Sequence, residues 1–79
     1  MTTAIVDIET DSLDATKIHC IVARSYESNK VKAWVGQECS EFASWSQQID
    51  TFVMHNGISF DAPVLNRLLG CNIKLSQIR

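Results

Sequence analysis

The chain has 79 residues, with seven Lys or Arg against nine Asp or Glu and a formal net charge of −2; that balance excludes the basic footprint of a free-standing nucleic-acid binder. Hydrophobic residues make up 46%, with one Pro and three Gly, so the composition is that of a folded domain, or a piece of one, and not of a linker or a disordered tail. No apolar run approaches the ~20 residues of a membrane span, and no charged-then-apolar leader opens the sequence, so no membrane partner and a cytoplasmic location are expected.

Thr3 to Glu9 reads as a strand, with Ala4, Val6 and Ile8 on one side and Ile5, Asp7 and Glu9 on the other, because strand side chains alternate. It is apolar on both faces until its end, the pattern of a central strand that opens into a cleft. Thr10 to Thr16 forms a polar loop containing Asp11, Ser12 and Asp14. Lys17 to Tyr26 reads as a second strand, Ser28-Asn29 as a tight turn, and Lys30 to Val35 as a third strand at a sheet edge. Ser40 is placed to cap a helix over Glu41 to Ile49, where Phe42, Trp45 and Ile49 recur at helical spacing.

Thr51 to Met54 reads as a short buried strand, with a loop as the alternative, and Asn56-Gly57 breaks it. Asp61 can cap a final helix, with Pro63 in its first turn, a buried stripe of Leu65, Leu68 and Leu69, and Gly70 as its stop. Cys71 to Arg79 carries no clear assignment. The order β-β-β-α-β-α gives an α/β mixed sheet with helices packed on it. Cys20, Cys39 and Cys71 are odd in number and form no C-x-x-C pair; reduced intracellular thiols are expected, with Cys20 in the core.

Asp7 and Glu9, two apart on one strand, place their Cα atoms ~6–7 Å apart on the same face. Carboxylates that close repel unless one protonates or a cation lies between them, and an all-oxygen set suits Mg²⁺ or Mn²⁺ over zinc. Composition alone produces an Asp-x-Glu triplet in roughly one chain in four of this length, so the argument rests on its position at the end of an apolar strand. A calcium-loop reading of Asp7-x-Glu9-x-Asp11 fails, because Ser12 stands where Gly is needed and Ile18 where Glu is needed. Asp61, 54 residues after Asp7, joins the same end of the sheet if the fourth strand lies beside the first. Otherwise it serves only as a helix cap.

Ile5-Val6-Asp7-Ile8-Glu9-Thr10-Asp11 resembles the first motif of the DEDD 3′–5′ exonucleases, and His55-Asn56-Gly57-x-x-Phe60-Asp61 resembles the second. Thr16 to Val22, Asp61 to Leu65 and Leu68 to Gly70 resemble the proofreading domains of family A DNA polymerases from short-tailed phages, so the likeness runs from about Ala4 to Gly70. The resemblance implies a ribonuclease H-like fold and two-metal hydrolysis, with Mg²⁺ or Mn²⁺, at a single-stranded DNA 3′ end. It implies that Asp7 touches both metals and Glu9 one, that Glu9 helps orient the attacking water, and that Asp61 acts mainly through water. Thr10, Asn56 and Phe60 would contact the 3′-terminal nucleotide, and His19 would be structural. The family's third motif, a Tyr or His followed by an Asp, has no counterpart: Tyr26 is the sole Tyr and no acid follows Asp61.

Residues 1–79 are therefore expected to hold a partial 3′–5′ exonuclease domain, truncated before the last strand and helices. It would leave the fourth strand as an exposed edge and need a complementing polymerase segment for activity, in an infected bacterial host if phage-encoded. The competing readings are a non-catalytic piece of a split polymerase and a small ribonuclease H-like nuclease acting on RNA ends.

Overall fold

The computed structural model describes residues 2–12 and 14–79. Four strands form one mixed sheet: β1 (Thr3–Thr10), β2 (Ile18–Ser25), β3 (Val31–Val35) and β4 (Thr51–Val53), in the order β3-β2-β1-β4. Two helices accompany them, α1 (Phe42–Ser46) and α2 (Ala62–Leu69). The first three strands are an antiparallel meander, and Asn29 makes the β2–β3 turn at φ 59°, a left-handed conformation that Asn tolerates. The intervening helical segment lets β4 return parallel to β1, with Ala4 opposite Phe52 and Ile5 opposite Val53. Thr51–Met54 is thus a strand over its first three residues, and the loop alternative is excluded.

The core lies on one face only. Ala4, Val6 and Ile8 of β1, Ile21 and Ala23 of β2, Trp34 of β3 and Phe52 of β4 point into it and are buried. Phe42 from α1 and Val64 and Leu65 from α2 close it from above. Trp34 packs edge-to-face on Phe42 at 5.0 Å and against Trp45 at 5.1 Å, an arrangement that ring quadrupoles favour.

Several expectations are corrected. The first helical segment begins at Gly36, not after Ser40: a 3₁₀ run over Gly36–Glu41 leads into α1, which has only five residues. Gly36, at φ 59°, turns the chain straight out of β3, and the Ser40 hydroxyl donates back to the Gln37 carbonyl instead of capping. Cys20 is half-buried on the side of the sheet away from the core, whereas Cys39 and Cys71 are buried; its alternation partner Ile21 takes the core position. The edge of β4 is partly covered. The chain returns through a 3₁₀ turn at Leu75–Gln77, Ile78 bridges Phe52 in parallel, and the Arg79 N–H donates to the Phe52 carbonyl at 2.8 Å. This contact spans more than twenty residues and leaves no local sequence signature. Among the described residues no helix is long and apolar enough to cross a membrane.

Candidate metal and nuclease site

Strands β1 and β4 run parallel, so their carboxyl ends open at the same end of the sheet, the place where open α/β sheets hold ligands. Asp7 and Glu9 occupy that end of β1. They pair across to Val22 and Cys20 of β2, so both project from the face opposite the core, and both are exposed. A bulge follows immediately, between Glu9 and Thr10; bulges of this kind bend a strand and re-aim its side chains. Thr10 is half-buried and its hydroxyl donates to the Ser12 carbonyl at 2.9 Å.

Asp11 is not available to the site. Its carboxylate accepts from the Thr16 N–H at 3.0 Å, the Thr16 hydroxyl at 2.6 Å and the Lys17 N–H at 3.2 Å. Those hydrogen bonds, the Thr16 hydroxyl foremost, hold its pKa at about 2. Asp11 therefore staples the loop after β1 to the start of β2.

The second motif folds differently from the simple cap that the sequence allowed. Gly57–Asp61 forms a π-helical turn that runs directly into α2. The Asn56 carbonyl accepts from both the Phe60 N–H at 2.9 Å and the Asp61 N–H at 3.0 Å. Asp61 has helical backbone angles and makes no capping hydrogen bond, so the alternative in which it only caps α2 is set aside. The wide turn advances the chain by one extra residue, and such π segments are frequent at functional sites. Gly57 is required by close approach: a Cβ there would lie 2.8 Å from Ile78 Cγ2 and 2.9 Å from Met54 Cβ.

Asp61 is 6% exposed. Among the described residues no sealed side-chain oxygen or nitrogen lacks a partner, so its carboxyl oxygens open toward the cleft. Burial raises its pKa most, the nearby Asp7 carboxylate raises it further, and His55 draws it down. The fold thus brings Asp61, Asp7 and His55 within electrostatic range of one another, as the spacing of the two motifs foreshadowed for the two acids. Glu9 stands one outward position beyond Asp7. Among the described residues no group of three or more His, Cys, Asp or Glu side chains is gathered closely enough to enclose an ion. Asn56 is exposed, and Phe60 is half-buried against the core beside the turn. His55, exposed just after the buried Met54, was given no role on sequence grounds; its place between a buried strand and Asn56 was the available signal.

No protein-family model matches the chain, and no curated protein sequence does. Among solved structures, the chain is similar to the family B DNA polymerase from the hyperthermophilic archaeon Pyrobaculum calidifontis, with a TM-score of 0.68 over 89% of this chain and 13% sequence identity. The match spans 11% of that polymerase chain. The likeness shows a fold shared with a segment of a DNA polymerase, and at this identity it shows the fold alone.

Proposed function

We propose that the chain is a 3′–5′ exonuclease segment of the DEDD type, related to the proofreading domains of phage family A polymerases, with a ribonuclease H-like topology. One observation carries this reading: Asp61 is buried without a capping role and within the field of Asp7, where a cation would relieve the cost that both impose. The oxygen-only chemistry of Asp7, Glu9 and Asp61 fits Mg²⁺ or Mn²⁺. When bound, such a pair of ions supplies an activated water and neutralises charge at the leaving oxygen.

The chain's own residues would hold and orient. Asp7 faces both neighbours and is the shared ligand. Glu9, one outward position along β1, would hold the second ion and accept a proton from the attacking water. Asp61, rigid at the head of α2, fixes the depth of the site. Thr10, Asn56 and Phe60 surround the cleft, where a single-stranded DNA 3′ end would lie, and the stack of its terminal base would seat near Phe60. Two acids from one strand and one from a helix leave the ligand set one carboxylate short, which is why activity requires a complementing polymerase segment.

The test is release of 3′-terminal nucleotides from single-stranded DNA with Mn²⁺, by the chain alone and with an added segment that supplies a helical Asp. Activity only in the mixture, abolished by Asp7→Ala, supports the proposal. Robust activity of the chain alone would sink the half-site claim, and inactivity of every mixture would sink the nuclease assignment. A matched RNA substrate distinguishes the RNA-end reading.

A further inference from the structure

The face of the sheet away from the core has the wrong composition for a surface. Its outward positions are Val31, Ala33 and Val35 on β3, Arg24, Val22 and Cys20 on β2, Ile5, Asp7 and Glu9 on β1, and Val53 on β4. A solvated sheet face alternates polar residues outward; here most of the outward side chains are apolar. Val31 is 64% exposed, Val35 61%, Val22 40% and Val53 37%. Contiguous apolar surface of this kind marks an interaction site.

The shape and charge of the patch choose its occupant. From Val31 to Val35 the strip runs about 13 Å, and the four strands span about 14 Å. That matches a single helix, about 10–12 Å across with its side chains, and falls well short of the ~800 Å² per partner of a standard interface between globular proteins. A second copy fits poorly: stacking the same faces would enclose Asp7 and Glu9 of both copies with one Arg24 each to offset them, and enclosed unpaired charge is costly. The acids lie along one margin of the strip and Arg24 at its far end, so a helix over β2 and β3 covers the valines and leaves the carboxylates open.

We propose that this face docks one amphipathic helix of a separate polypeptide, with its apolar stripe on Val22, Ala33, Val35 and Ile5 and an acidic side chain against Arg24. The inference gives the complementing segment of the proposed function its docking place, and it rests on that reading only for the partner's identity.

The probe is a fluorescent peptide of about 16 residues in an Ala/Lys/Glu background, with Leu at i, i+3, i+4 and i+7 and a Glu beside one end of the stripe. Its anisotropy should saturate with the folded chain at about 100 µM or below, and a version with Ser in place of Leu should not bind. Ala33→Lys should weaken binding about tenfold or more, and Arg24→Glu should weaken it less, with recovery when the peptide Glu becomes Lys. Circular dichroism of each variant establishes that it is folded. Absence of saturation with the folded chain overturns the proposal, as does binding indifferent to Ala33→Lys. Concentration-dependent dimerisation in the ultracentrifuge that Ala33→Lys abolishes also overturns it, in favour of a second copy. Mn²⁺ binding measured on Ala33→Lys, which leaves Asp7, Glu9 and Asp61 in place, reports separately on the nuclease reading.

Discussion

The two faces of this sheet use similar residues for opposite ends. Ala4, Val6 and Ile8 are buried beneath two helices, whereas Ile5, Val22, Val35 and Val53 carry comparable apolar bulk and meet no layer among the described residues. The first face holds the fold together, and the second carries the candidate chemistry, with Asp7 and Glu9 projecting from it. The difference teaches that hydrophobicity in a strand specifies where packing is possible, and that the helices decide where it occurs.

Substitutions that distinguish the faces should rank accordingly. Phe42→Ala, at the centre of the aromatic cluster and fully buried, should cost about 3–5 kcal/mol, most of the stability of so small a domain; urea unfolding followed by circular dichroism would show it unfolded or nearly so. Gly57→Ala should cost about 1–3 kcal/mol, because Ile78 and Met54 must give way to the added methyl. The same titration measures it, and a neutral result would mean that the tail does not pack against the π turn.

Asp61→Asn should act in the other direction. Its folded pKa is raised by burial and by Asp7, so its stabilising contribution is full below the unfolded carboxylate value and is lost as pH rises through the folded value. At neutral pH the amide variant should therefore melt a few degrees higher than the parent without added metal, and the gain should vanish at acid pH; a scan of melting midpoint against pH checks both. The smallest effect belongs to the open face. Val35→Ala, at 61% exposure, should change stability by no more than about 0.5 kcal/mol, and a loss comparable to that of a core valine would mean that this face is covered.

Much of this was legible in the sequence. The alternation in Thr3–Glu9, the apolar spacing of Phe42, Trp45 and Ile49, and the stop at Gly70, left-handed at φ 69°, are local signals with local consequences. The proximity of Asp7 and Asp61 followed from placing the fourth strand beside the first. What escaped was non-local or permissive. The bridge from Ile78 to Phe52 depends on a chain return that no short window encodes. The π turn at Gly57–Asp61 is a one-residue change in winding that a cap signature does not distinguish from an ordinary helix start. Cys20 was assigned to the core because its neighbours are apolar, and a strand with two apolar faces does not say which face the helices will choose.

The central claim is a divalent-cation half-site shared between β1 and the head of α2. Its most direct test is a Mn²⁺ titration of the full chain at neutral pH, followed by water-proton relaxation, with Asp7→Asn and Asp61→Asn alongside. The account predicts weak, saturable binding that either substitution abolishes. Binding that survives both substitutions, or no saturable binding by the folded parent chain, would contradict it.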